Sequence, residues 1–348
     1  PRRFGLDLNR NFPAHWAPFS MFGMDGGHYP ASEPESRATV EAFAARSTIC
    51  AAITNHTYTG CILTQPYRKD TPLTDPDIYL MENLAKAIVE GTDYRVFRIE
   101  PDFVYDPKKA VVGVWSDSMC TTFGVPAYTL ELWDPFKFCG MENEDPKDFF
   151  IQPDPEKIRG LVEGFSKIDE AVTPWRPFDH PQLGEVEIGG LDYMRTVRNP
   201  PVAALAEECK RGHLVADQLR LAMPRVKVDA RTAERRGEQT LVECVLENEG
   251  YLSTAALRHA ESLSRTPRVS MALHCGPGVE RLTGKQGQEH PHLDGWATHQ
   301  PSGVHSVYPG LPARGHRALF QWWVTGKGQV TIKWYAGRGG QGALCLEV

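Results

Sequence analysis

Gly5-Leu6-Asp7-Leu8-Asn9-Arg10-Asn11-Phe12 is the stretch on which the reading of this chain turns. Three polar side chains in a row stand between an apolar lead-in and an aromatic ring. A guanidinium flanked by two carboxamides suits one task well, because arginine offers a planar fork that matches both oxygens of a carboxylate. The stretch reads as a strand edge, residues 1–12, running into half of a substrate clamp. It also lies at the very start of the sequence, which opens on Pro1.

Beyond the clamp, the first half alternates between two periodicities. Residues 13–31 are rich in Pro and Gly and read as a loop. Ser32-Glu33-Pro34-Glu35 then carries the pattern of a capping box, with Ala38, Ala42, Phe43 and Ala45 as the expected buried stripe of the helix that follows. Ile49-Cys50-Ala51-Ala52-Ile53-Thr54 is a short apolar run ending at Asn55-His56, as in a parallel strand buried on both faces. Thr74-Asp75-Pro76 opens a helix whose apolar residues Ile78, Met81, Leu84, Ala85, Ile88 and Val89 recur at helical spacing, and Gly91 ends it. Residues 101–118 read as a loop, Val125–Trp133 as a strand and residues 155–170 as a helix. Strand and helix in alternation predict an α/β fold, a mixed sheet flanked by helices.

The pattern changes near residue 174. Prolines at 174, 177, 181, 200 and 201 mark a connecting region with a short hairpin near Gly184–Ile188, then a helix over 202–222 with Leu205, Leu214, Leu219 and Leu221 as its apolar positions. After Pro224 the period becomes two. Thr240, Val242, Cys244 and Leu246 alternate with their neighbours, as do Val330, Ile332 and Trp334, and Thr325-Gly326-Lys327-Gly328 reads as a hairpin turn between two such runs. Short strands with turn signals predict an all-β sandwich-like domain. The expected boundaries are 1–175 for an α/β domain, 176–224 for the connecting segment and 225–348 for the β domain.

The chain of 348 residues is long enough for two cores. A net charge of −6 argues against general nucleic-acid binding. No apolar run reaches the roughly 18 residues of a membrane span. The eight cysteines are scattered without a CxxC pair and read mostly as buried thiols. The histidines at 274, 290, 292, 299, 305 and 316 read as loop residues of the sandwich rather than a second metal site. Trp322, Trp323 and Trp334 read as core.

Four features fall at strand ends or loops of the α/β half: Asp7 with Asn9 and Arg10; His56 in Asn55-His56-Thr57-Tyr58; Tyr105 in Phe103-Val104-Tyr105; and Glu131, a carboxylate inside the apolar run Thr129-Leu130-Glu131-Leu132-Trp133. Singly, each has an ordinary structural explanation. Together they offer a metal-ligand type, a general base, a carboxylate fork and a phenolic hydroxyl, which suits metal-assisted hydrolysis of a bond beside a free carboxylate.

In their order and separations, the clamp stretch, Ser32-Glu33-Pro34-Glu35, Asn55-His56-Thr57-Tyr58 and Tyr128-Thr129-Leu130-Glu131-Leu132-Trp133 resemble the zinc carboxypeptidases of the carboxypeptidase A type, in a bacterial branch with an added C-terminal β domain. The likeness is best over roughly residues 5–140, and the segment His180–Gly190 also resembles that branch's inter-domain connection. The resemblance implies that His56 is a zinc ligand and that Glu131 is the general base acting on zinc-bound water. It implies that Asn9 and Arg10 bind the terminal carboxylate of a peptide or peptide-like substrate. Asp7 would orient another zinc-binding histidine, Tyr105 would close over the substrate, and Ser116 would lie at the base of the pocket for the terminal side chain.

The chain also departs from that family. The family's other two zinc ligands lie in a His-x-x-Glu motif ahead of the clamp, and none of the twelve histidines here has Glu three places later. Nor does an oxyanion-stabilising arginine precede the clamp. Where the family has Asp-Trp-x-Tyr, this chain has Asp117-Ser118-Met119-Cys120. One Zn2+ with its remaining ligands upstream of Pro1, in a chain truncated at its N-terminus, is the expectation that follows. The alternatives are an amidase of small or cell-wall peptides, whose substrates also present a carboxylate, and a non-catalytic peptide-binding relative.

Overall fold

In the computed structural model of the chain, residues 4–21, 23–103, 111–142, 154–168, 171–263, 266–298 and 315–348 are described. A minimal hairpin, β1 (Ser20–Met21) and β2 (Met24–Asp25), precedes a four-stranded sheet. That sheet contains β3 (Ala52–Thr57), β4 (Cys61–Thr64), β5 (Arg95–Arg98) and β6 (Ala127–Leu132), in the order β3-β6-β4-β5. β3 is parallel to β6 and β4 is parallel to β5, while β4 runs antiparallel to β6, so the sheet is mixed as expected. Helices Asp75–Ile88 and Val202–Leu221 cover it, and Met81, Leu84, Ile88, Leu130, Val215 and Leu219 share one buried core.

Apart from helix Val202–Leu221 and short helical turns, the second half is β. β7 (Val172–His180) and β8 (Gly184–Leu191) form a two-stranded ribbon, longer than the hairpin read from the sequence. The strands that follow are β9 (Val226–Arg236), β10 (Gln239–Asn248), β11 (Val269–Cys275), β12 (Val279–Thr283), β13 (Gly287–His290), β14 (Arg317–Gly326), β15 (Gln329–Tyr335) and β16 (Gln341–Glu347). They form two four-stranded antiparallel sheets, β12-β14-β10-β9 and β13-β11-β15-β16. Val242, Cys244 and Leu246 from one sheet meet Met271, Leu273 and Ile332 from the other in a single core, with Trp322 fully buried at its centre and Trp334 packed against it. Period-two alternation on both inner faces makes this a sandwich.

Arg338, near the end of the sandwich, ties the two halves together. Its guanidinium is buried and donates to the backbone carbonyls of Ser47, Ile49, Phe123 and Ala255. Asp77, a buried carboxylate in the first turn of helix Asp75–Ile88, accepts the N–H groups of Arg258 (2.7 Å) and His259 (3.1 Å) from the other half.

Several local expectations give way. Residues 5–12 make no strand: Leu6 forms an isolated bridge to Asp25, and Leu8–Arg10 is a 3-10 turn because Asp7 Oδ1 accepts the Asn9 N–H at 2.9 Å. The capping box at Ser32 does not form. Its hydroxyl donates to Glu33 and accepts from Asn11 Nδ2, while Asn11 Oδ1 takes the Glu33 N–H, so a residue 22 positions back holds the N-cap residue of helix Pro34–Ala44, which has no side-chain cap. Ala38, Ala42 and Ala45 are exposed on that helix, and Val40 and Phe43 face the core instead. β3 is an edge strand, half-buried rather than buried on both faces.

Residues 115–123, read as the end of a loop and its sequel, form a helix. Asn9 Oδ1 accepts the Trp115 N–H at its start (2.8 Å), and Gly124 ends it in the left-handed region, at φ 63°. On helix Val202–Leu221, Leu205, Leu214 and Leu221 are exposed, and the buried residues are Glu208, Val215 and Leu219. Thr325–Gly328 is not a hairpin, since β14 and β15 on either side of it belong to different sheets. Of the cysteines, only Cys61, Cys120 and Cys244 are buried, and Cys209, Cys275 and Cys345 are exposed.

Candidate active site

The site forms at the carboxyl ends of the two parallel strands β3 and β6. Their register places His56 directly beside Glu131. Side-by-side strand ends in an open α/β sheet are where such folds bind ligands, because the chain turns away and leaves a crevice. His56 Nδ1 lies 3.7 Å from Glu131 Oε1. Burial pushes the Glu131 carboxyl up to about 8, although Arg198 and then Arg10 draw it down. Burial also lowers His56, helped by Arg10 and Arg198 and opposed by Asp7. Both groups are therefore neutral near pH 7, and the contact is not an ion pair there.

Arg10 approaches the same strand ends from the 3-10 turn. Its backbone is held by close packing: a Cβ at Gly113 would lie 2.3 Å from the Arg10 carbonyl oxygen, and one at Gly26 2.6 Å. Gly113, at φ 61°, is thus required twice over, by its conformation and by the approach. The Arg10 guanidinium stacks 5.1 Å over the Phe19 ring, one nitrogen donates to the Asn9 carbonyl at 2.7 Å, and Asp7 stands 4.0 Å from Nε. Nε itself is buried without a hydrogen-bond partner. A buried donor of that kind is costly unless something fills its place.

The neighbouring groups are structural. Asn11 is fully buried and donates to the Gly26 and Tyr29 carbonyls. Asn9 commits its carboxamide oxygen to Trp115. Below Glu131 on the same face of β6, Thr129 belongs to a buried polar cluster, with Ser116 Oγ at 3.0 Å and the Tyr67 hydroxyl at 3.4 Å. Asp117 is buried between His15 (2.7 Å) and Gln65 (3.1 Å), and the Asp117 hydrogen bond raises His15 above its ordinary value. Just past Glu131, Trp133 takes a left-handed conformation (φ 67°), with its N–H donating to the buried Glu208 carboxylate at 2.6 Å.

Asp7, Asn9, Arg10, His56 and Glu131 are thus brought to one place. Tyr105 lies outside the described residues. Two contributors were not visible in the sequence. Glu208 belongs to no motif and lies off the leucine positions read for the helix over 202–222. Arg198 follows a proline-rich connecting stretch and matches no motif.

Residues 1–160 match the zinc carboxypeptidase family model. Residues 220–344 match a family described as a domain of unknown function. No curated protein matches the chain. Among solved structures, bovine thrombin-activatable fibrinolysis inhibitor in complex with tick carboxypeptidase inhibitor is 22% identical over 46% of this chain and 55% of that one, with a TM-score of 0.32. A second structure of thrombin-activatable fibrinolysis inhibitor is 21% identical over 46% of this chain and 41% of that one, with a TM-score of 0.30. The chain spans about half the length of these structures or less.

The match of residues 1–160 to the zinc carboxypeptidase model raises the question of the metal. A catalytic zinc site takes three protein ligands and keeps a fourth position open. Among the described residues, no group of three His, Cys, Asp or Glu side chains is placed to hold a metal ion. His56 has Glu131 beside it and no second imidazole, so the described residues do not by themselves fit zinc.

Proposed function

We propose that this chain carries a carboxypeptidase-type site that receives a peptide by its free C-terminal carboxylate, with Arg10 as the binding group and Glu131 as the acid–base residue. The observation that carries this reading is the Arg10 guanidinium, which has a buried, unsatisfied Nε and stands beside the strand ends that bear His56 and Glu131. A carboxylate is the ligand that such a fork binds best. Asn9 shapes the clamp through Trp115, and its amide nitrogen is available to the same carboxylate. Asp7 holds the turn. Tyr105 is the candidate to cover the substrate.

Glu131 stands protonated near neutral pH, so it is able to give a proton to a leaving amine. It acts as a base only once ionised, which a cation nearby would favour. The match of residues 1–160 to the zinc carboxypeptidase family model supports hydrolysis of a C-terminal peptide bond as the corresponding reaction. His56 is one zinc ligand by position. The described residues do not complete the set, and no zinc-dependent step is assigned to them. Residues 1–175 would be the site-bearing domain, 176–224 the connecting segment and 225–348 an accessory β domain.

The absence of a metal-holding group among the described residues favours a second reading, a non-catalytic domain that binds peptide ends. Zinc titration of the chain followed by calorimetry, with peptide hydrolysis assayed in parallel, tests the incomplete metal set on which both readings rest. Weak zinc binding without hydrolysis is expected of this polypeptide. Tight stoichiometric zinc that is lost on His56→Ala would contradict the assignment of an incomplete metal set.

A further inference from the structure

Arg198 reaches the site from the connecting segment, outside the part of the chain that matches the carboxypeptidase family. The turn that presents it is fixed at several points. Asp192 Oδ1 accepts the N–H groups of Met194 and Arg195, both at 3.1 Å. The Tyr193 carbonyl accepts those of Val197 (3.1 Å) and Arg198 itself (2.9 Å). Trp133, two residues past Glu131, donates its indole N–H to the Thr196 carbonyl at 2.6 Å. Val197, 2% exposed, packs in one cluster with Tyr58 and Trp133. Tyr58 lies two residues past His56, so Val197 is wedged against the chain leaving both functional strands. Arg198, the next residue, is half-buried at their ends.

Its charge is not consumed locally. Asp192 pairs with Arg195 (3.8 Å), and no hydrogen bond or ion pair joins the Arg198 side chain to a described residue. Through Val197 and the Thr196 carbonyl it is held against the residues that follow His56 and Glu131. The site thus holds two guanidiniums, of which only Arg10 has a carboxylate, Asp7, within 4.0 Å. A site with two cations and one nearby anion is complementary to a ligand bearing two negative groups.

We propose that Arg198 is a second substrate-binding residue and that the site selects peptide ends with two carboxylates, one for Arg10 and one for Arg198. An acidic C-terminal residue meets that requirement. This inference rests on the reading of Arg10 given above.

Calorimetric titration of the full chain with N-acetyl-glutamate, N-acetyl-glutamine and the α-amide of N-acetyl-glutamate tests it. The diacid is expected to bind at least about tenfold tighter than the glutamine compound. Arg198→Gln should bring the two within about twofold by weakening the diacid far more than the glutamine compound, and Arg198→Lys should restore part of the preference, since it returns charge without the fork. Equal affinities in the unaltered chain, or an Arg198→Gln variant that weakens both compounds alike, would overturn the proposal. If the preference fails while the α-amide still binds worse than the acid through Arg10, the inference about Arg198 falls alone. If no carboxylate compound binds at all, the reading of Arg10 falls with it.

Discussion

β3 and β10 are both strands of four-stranded sheets, and they manage their side chains in opposite ways. β10 alternates buried and half-exposed positions over its whole length; Thr240, Val242, Cys244 and Leu246 lie inside, and Glu243 on the outside pairs with Arg231. β3 is half-buried nearly throughout and delivers an imidazole to a carboxylate that burial holds protonated near pH 7. The core between the sandwich sheets is apolar, and the Glu243–Arg231 pair lies outside it. The α/β sheet keeps ionisable groups with few partners at its strand ends. Arrangements of the second kind cost stability, and they are found where a ligand is to supply the missing partner.

The contrast is tested first where the largest effect lies. Trp322 is fully buried at the centre of the sandwich core. Trp322→Ala should lower stability by about 3–5 kcal/mol, measured by urea denaturation, because transfer and cavity costs add. An effect below about 1 kcal/mol would mean that the core is not the packed one described.

Next is the joint between the two regions. Arg338→Met should cost about 3 kcal/mol, since it leaves several buried carbonyls unpaired. It should also uncouple the two transitions in a thermal scan. A single unchanged transition would show that Arg338 is not the tie.

At the strand ends the effect depends on pH. Glu131 has a raised value in the folded chain, about 8, so the folded state holds a proton that the unfolded state releases. Stability therefore falls as pH rises from about 4.5 through about 8. His15, also raised, adds to the fall above its ordinary value, whereas His56, lowered, works the other way below about 6.5. Glu131→Gln should flatten the decline by on the order of 2 kcal/mol across that window, as read from denaturation midpoints. An identical slope in the variant would remove Glu131 as its source.

The smallest effect is a local one. Thr74 caps helix Asp75–Ile88 by accepting the Asp77 N–H, and Asp77 returns a bond to the Thr74 N–H. Thr74→Ala should cost about 1 kcal/mol.

The legibility of the sequence follows the same division. Period-two runs in the sandwich and helical spacing in residues 74–91 describe elements whose partners are apolar and interchangeable, so pattern alone identifies them. The ordered motifs around Arg10, His56 and Glu131 likewise survive as strings of residues. What could not be read is contact at long range. Asn11 holds the start of the helix after Ser32, and Asn9 holds the start of the helix at Trp115. The buried charge of helix Val202–Leu221 is Glu208, and the second guanidinium is Arg198. None of these has a periodicity, because each is defined by where the fold places it and not by spacing along the chain. The turn at 325–328 fails for a related reason: glycine and threonine signal a reversal, not which sheet the chain returns to.

The central claim is that Arg10 receives a carboxylate. The direct measurement is the affinity of the chain for one short peptide with a free C-terminus and for the same peptide as its C-terminal amide, each with the unaltered chain and with Arg10→Gln. The account predicts that the acid binds at least about tenfold tighter than the amide, and that Arg10→Gln abolishes the difference at little cost in stability. Equal binding of acid and amide, or a preference that survives Arg10→Gln, would contradict it.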